Sequence, residues 1–124
     1  MVDSPPDAAR IRIYLIDDHP VVRECLGRAI AAEGGLEVVG EAATAADGLA
    51  GAIATSPNVV VVDLHLPDRD GPDLIAALRA ALPNARLVVV SAYDDEYRVA
   101  EALRAGAHGY LLKTSTVAAP ASAA

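Results

Sequence analysis

The stretch Asn58-Val59-Val60-Val61-Val62-Asp63-Leu64-His65-Leu66-Pro67-Asp68-Arg69-Asp70-Gly71 decides the fold. Four consecutive valines end in a carboxylate, bounded by Pro57-Asn58 before and by Pro67 and Gly71 after. A short run of β-branched residues between turn formers predicts a strand buried on both faces, as the interior strand of a parallel sheet must be. Asp63 then stands where the chain leaves the sheet. In an open parallel sheet that carboxyl edge is where ligands bind. An ionised carboxylate in such a place needs a cation or strong donors, because isolated charge is costly to bury.

Working outward, the same grammar repeats. Ile11 to Ile16 reads as a strand that ends at Asp17-Asp18. His19 and Pro20 follow, and Pro suits the first turn of a helix. The helix is expected to run to about Glu33, with Val22, Cys25, Leu26 and Ala29 on its apolar face and Gly34-Gly35 as its stop. Leu36 to Gly40 is a second strand. Thr44, with Asp47 three residues on, resembles a capping box and opens a helix to about Thr55. Gly48 and Gly51 make that helix weak, each costing up to about 1 kcal/mol relative to Ala.

Beyond the valine strand, Gly71-Pro72 opens a third helix with Leu74, Ile75, Leu78 and Leu82 inward. Leu87 to Val90 is a fourth strand ending at Ser91. Asp94, Asp95 and Glu96 suit the positive end of a helix dipole, and that helix runs to about Ala105, capped by Gly106. Gly109 to Lys113 is a fifth strand. Strands alternating with helices imply a parallel sheet with right-handed crossovers. The expected fold is α/β, flavodoxin-like, with five strands in the order 2-1-3-4-5.

Residues 1–9 read as a flexible leader, 10–114 as the folded domain and 115–124 as a flexible tail. A fifth helix is expected after the last strand, yet Thr114 to Ala124 contains Pro120 and little apolar bulk. That helix is therefore expected to be missing or truncated. The sheet face it leaves predicts a homodimer or a weakened monomer.

Composition narrows the class. The chain has 124 residues, enough for one core. Its net charge is −7, which disfavours direct binding to a nucleic-acid backbone. The single cysteine, Cys25, excludes an internal disulfide and suits a reducing compartment. No apolar run approaches the roughly 20 residues of a membrane span, and no signal peptide is visible. These features together predict a soluble, cytoplasmic protein without membrane contact.

The predicted topology gathers Asp17, Asp18, Asp63, Ser91 and Lys113 on one edge of the sheet. Two carboxylates 4 Å apart repel by ~4 kcal/mol at an effective dielectric of about 20. A divalent cation removes that cost, and an all-oxygen ligand set selects Mg2+ or Mn2+ over zinc. Mg2+ with one or two carboxylates, a lysine and a hydroxyl is suited to phosphoryl transfer. Asp63 would be the nucleophile.

Asp17-Asp18, Asp63 with Pro67-Asp68-Arg69-Asp70-Gly71 behind it, Ser91-Ala92, and Tyr110-Leu111-Leu112-Lys113 form a joint pattern. It resembles the receiver domain of bacterial two-component response regulators, over about residues 10–114. Asp-Asp-His-Pro-Val-Val-Arg and Gly-Ala-His-Gly-Tyr-Leu-Leu-Lys further resemble the NarL/LuxR-type branch, whose members usually carry a C-terminal helix-turn-helix DNA-binding domain. The resemblance implies that Asp63 takes a phosphoryl group from a sensor histidine kinase. It implies that Asp18, Asp63 and the main-chain carbonyl of His65 hold Mg2+, with Asp17 acting through water or as a weaker ligand. Lys113 is expected to pair with Asp63 and then with the phosphate. Ser91, where Thr is commoner, and Tyr110 are the expected switch residues. DNA would be reached only through a domain outside this chain.

Simpler readings stand beside these. Asp17-Asp18 alone would pass for a helix cap, Asp68 and Asp70 for turn and cap residues, and Cys25 for core filler. His19 reads as a cap neighbour and His108 as a loop residue, and the three histidines show no zinc spacing. Three functions compete. The first is a phosphorylation-controlled switch that acts catalytically only on itself and is not a metabolic enzyme. The second is an Mg2+-dependent phosphatase of haloacid-dehalogenase type, although His65 stands where that class needs an acid/base Asp. The third is a free-standing receiver or dimerisation module.

Overall fold

A computed structural model of the protein describes residues 10–91 and 96–112. The expected leader and tail, Asp94, Asp95, Lys113 and the place of a fifth helix lie outside the described residues.

The sheet strands are β1 (Ile11–Ile16), β2 (Leu36–Ala42), β3 (Val59–Asp63), β4 (Arg86–Ser91) and β5 (Gly109–Leu112). The helices are α1 (Pro20–Ala32), α2 (Ala45–Thr55), α3 (Gly71–Ala81) and α4 (Glu96–Ala105). All sheet pairings are parallel, in the order β2-β1-β3-β4-β5. This is the doubly wound topology expected from the sequence. A two-residue antiparallel ribbon, His65–Leu66 against Arg69–Asp70, is added after β3.

The valine run is central, as its composition requires. Val60 and Val62 face one layer, where Leu74, Ile75 and Leu78 of α3 and Val99 and Ala102 of α4 pack with Leu87 and Val89. Val61 faces the other layer, with Ile13, Leu15, Val90 and, from α1, Val22 and Leu26. Among the described residues α1 alone packs on that second face. At its β5 side Leu111 is 41% exposed.

One local reading needs correction, and others gain a packing reason. On α1, Ala29 is exposed and Ile30 packs instead, so the buried row is Val22, Leu26, Ile30 at a spacing of four. On α2, the two glycines are packing devices. A Cβ at Gly51 would lie 1.9 Å from the Tyr14 hydroxyl, and one at Gly48 2.6 Å from Ile16 Cδ1. The helix gives up propensity to lie flat on a core tyrosine and isoleucine. Gly40, on β2, makes room for the same tyrosine ring.

His108 lies in the loop before β5, as expected, but its ring is not idle. Its Nδ1 accepts the Leu87 N–H at 3.0 Å while its own N–H donates to the Leu87 carbonyl at 2.7 Å. The imidazole thus continues the ladder beyond the start of β5. His108→Ala leaves the Leu87 N–H without that acceptor. His108 is exposed and the bond only part-buried, so the expected loss is about 1 kcal/mol, the net worth of one hydrogen bond. Urea denaturation measures it, and a loss below about 0.5 kcal/mol would mean that water serves equally well.

Candidate functional site

β1 and β3 are neighbours, so their carboxyl ends deliver Asp17-Asp18 and Asp63 to one place. Asp17 is 2% exposed and Asp63 fully buried. Both are held by the same local device. Asp17 Oδ1 accepts the N–H of His19 at 2.8 Å, and Asp63 Oδ1 accepts the N–H of His65 at 3.0 Å. A carboxylate bonding the N–H two residues on is the Asx turn, which ends a strand and aims the side chain across the gap. The Asp17 N–H in turn donates to the Ala42 carbonyl at 3.0 Å. The Arg23 guanidinium binds the Asp17 carbonyl and, through Nε, Glu41 at 2.9 Å. Arg23 therefore staples the β1–α1 turn to β2.

One ligand atom each from Asp17, Asp18, His19 and Asp63 lies within 4.8 Å of the others. His19 is not merely a cap neighbour. It occupies the N-cap position of α1 without a side-chain cap bond. Its Nδ1 instead sits 3.0 Å from Asp17 Oδ1, 3.0 Å from Asp18 Oδ1 and 3.6 Å from Asp63 Oδ2. Among the described residues, a protonated His19 ring would balance one of the three negative charges. Asp18 Oδ1 is buried, and apart from the His19 contact it has no hydrogen-bond partner among the described residues. Three convergent carboxylates form an oxygen donor set suited to a hard divalent cation.

Ser91 ends β4, beside β3, and is fully buried. Leu112, its register partner on β5, is the last described residue before Lys113. The structure therefore brings Asp17, Asp18, Asp63 and Ser91 to one sheet edge, and Lys113 lies outside the described residues. His65 follows Asp63 by two and is tied to it through its N–H. Tyr110 is 52% exposed on β5.

Two acidic residues of the β3–α3 segment do more than cap their own turn. Asp68 accepts the N–H groups of Ala45 at 2.8 Å and Ala46 at 3.0 Å, both in the first turn of α2. Those bonds hold its carboxyl below the ordinary carboxylate range, the Ala45 bond contributing most. Asp70, at the N-cap of α3, pairs with Arg98 of α4 at 2.7 Å. No local spacing announces either partner, since they lie 22 or more residues away.

The model of the response regulator receiver domain family matches residues 13–120. The chain belongs to this family. Its curated relatives include the probable transcriptional regulatory protein NarL of Mycobacterium tuberculosis, 39% identical over 113 residues, which are 91% of this chain and 52% of that protein. The DNA-binding transcriptional activator DevR/DosR of the same species is 37% identical over 103 residues, 83% of this chain and 48% of its own. This receiver thus spans about half the length of the curated relatives it matches. Among solved structures, the receiver domain of the putative M. tuberculosis NarL superposes with a TM-score of 0.78 at 38% identity, covering 92% of this chain and 95% of that one. A LuxR-family response regulator from Aurantimonas gives 0.80 at 36%, covering 92% and 81%. The NarL/LuxR-type resemblance and the doubly wound fold both hold. No helix among the described residues is long and apolar enough to cross a membrane.

Proposed function

We propose that this receiver is a phosphorylation-controlled switch in which Asp63 accepts a phosphoryl group from a sensor histidine kinase. One observation carries the reading. A fully buried carboxylate at the end of the central strand shares its site with two others. A structural aspartate has no need of such neighbours, whereas a phosphoacceptor needs the cation that they bind.

A carboxylate oxygen of Asp63 attacks phosphorus, forming an O–P bond as the P–N bond of a phosphohistidine breaks. The electron pair returns to the imidazole nitrogen of the kinase. Water later reverses the modification, restoring the carboxylate and releasing inorganic phosphate. Asp18, Asp63 and the His65 carbonyl would hold Mg2+, with Asp17 in a supporting role. When bound, Mg2+ neutralises the crowded carboxylates and the phosphoryl oxygens. Ser91 donates its hydroxyl to one phosphoryl oxygen and Lys113 its ammonium to another. Tyr110, outward in this structure, turns inward as Ser91 moves. That is a local charge event biasing a two-state element.

The output is a DNA-binding domain outside this chain, as the names and double length of its relatives suggest. Tyr97, Leu103, Tyr110 and Leu111 expose apolar surface on α4 and β5 that fits self-association into a homodimer. The receiver works in the cytoplasm beside its kinase and turns over no metabolite.

The test is labelling by acetyl phosphate. With Mg2+ the expected result is at most one phosphoryl group per chain, and with EDTA none. Sustained hydrolysis of a generic phosphate ester would instead favour a phosphatase. Labelling that ignores EDTA would overturn the cation site.

A further inference from the structure

We propose that Asp68 is a positioning residue for the cation site, acting through the ribbon that follows Asp63; the inference rests on the Mg2+ reading above. The ribbon pairs His65 with Asp70 and Leu66 with Arg69, leaving Pro67-Asp68 as its two-residue tip. Its base is tied to the site, since the His65 N–H donates to Asp63 Oδ1. Its tip is tied elsewhere, to the Ala45 and Ala46 N–H groups. Ala45 is fully buried, so the anchor is part of the core. A two-residue ribbon has too few cross-strand bonds to fix its own tilt. Its tilt is set where its two ends are held. The His65 main chain forms the base, and it supplies both the N–H that orients Asp63 and the carbonyl expected to meet the cation.

Helix capping by itself does not account for this arrangement. α2 already has a local cap, as Thr44 Oγ1 accepts the Asp47 N–H at 3.2 Å. Asp68 satisfies two further first-turn donors from a distant segment. Removing either residue weakens the same helix end, but only removing Asp68 frees the ribbon. Thr44→Ala is therefore the control for a merely structural role.

Two readouts separate the cases. Mg2+ affinity is measured by calorimetry, and His65 amide hydrogen exchange is measured in EDTA. Asp68→Ala is expected to weaken Mg2+ binding about tenfold, the lower end for residues that support metal ligands, and to speed His65 exchange by a similar factor. Asp68→Asn, whose amide oxygen can still accept one of the two bonds, should fall between Asp68→Ala and wild type in both. Thr44→Ala should leave both within about twofold of wild type. The proposal is overturned if Asp68→Ala matches wild type, or if Thr44→Ala reproduces its effects. Should Asp68→Ala fail to fold, Asp68→Asn is read against Thr44→Ala, and equal values in the two overturn it. A wild type that binds no Mg2+ refutes the proposed cation site, while the exchange rates still decide whether Asp68 holds the ribbon.

Discussion

Asp63→Asn, melted in EDTA, is expected to be more stable than the wild type while accepting no phosphoryl group at all. The loss of labelling follows because the amide is no nucleophile and brings no charge to the cation site. The gain in stability follows from the same crowding. Asp63 is fully buried beside Asp17 and Asp18. One carboxylate pair at about 4 Å costs ~4 kcal/mol at an effective dielectric of about 20. The His19 ring, 3.6 Å from Asp63 Oδ2, offsets part of this when protonated, and the Lys113 ammonium expected to pair with Asp63 offsets a further part. The substitution keeps an oxygen for the His65 N–H, so the Asx turn survives. A net gain of about 1–3 kcal/mol is expected, which raises the melting temperature by about 4–8 °C for each kcal/mol. Added Mg2+ should close the gap, because it stabilises only the form that binds it. Thermal melts of both proteins in EDTA and in Mg2+ check this. A variant less stable than wild type in EDTA would show that the carboxylates are already balanced without a cation.

That cost also explains which parts of the site could be read from the sequence. Asp17, Asp18, Asp63 and Ser91 each end a run of apolar residues, and the β-α alternation orders those runs. Their meeting at one edge follows from topology, which local pattern reveals. The His19 ring, the Asp68 carboxylate and the His108 Nδ1 are different. Each finds its partners through the path of a turn, and a turn's path depends on what the rest of the chain has already built. The same holds for Gly48 and Gly51. Read locally they are helix weaknesses, and only the position of Tyr14 and Ile16 on β1 turns them into contact surface. The slip from Ala29 to Ile30 on α1 has a similar cause. The helical wheel gives a stripe, whereas packing on a twisted sheet selects the row of residues four apart within it.

Gly71→Ala is expected to damage stability and phosphoryl uptake together, because one added methyl meets main chain. A Cβ at Gly71 would lie 2.8 Å from the Leu64 carbonyl oxygen and 2.9 Å from Leu64 Cα. A side chain could swing aside, but Leu64 cannot easily recede. It is 1% exposed, and its N–H is bonded to the Val90 carbonyl at 3.1 Å. Nor can α3 lift away without cost, since Leu74, Ile75 and Leu78 are fully buried beneath it. Overpacking of this kind costs about 1–3 kcal/mol. The strain falls on the residue between Asp63 and His65, so the nucleophile and the main chain that orients it move apart. A misplacement near 1 Å can cost about a hundredfold in rate, and a fall of at least about tenfold in labelling by acetyl phosphate is expected. Ala76→Gly, at an exposed position of the same helix, is the control. It should cost about 1 kcal/mol through helix propensity and leave labelling unchanged. If Gly71→Ala labels at the wild-type rate and loses no more stability than that control, close contact at Leu64 does not hold the phosphoacceptor segment in place.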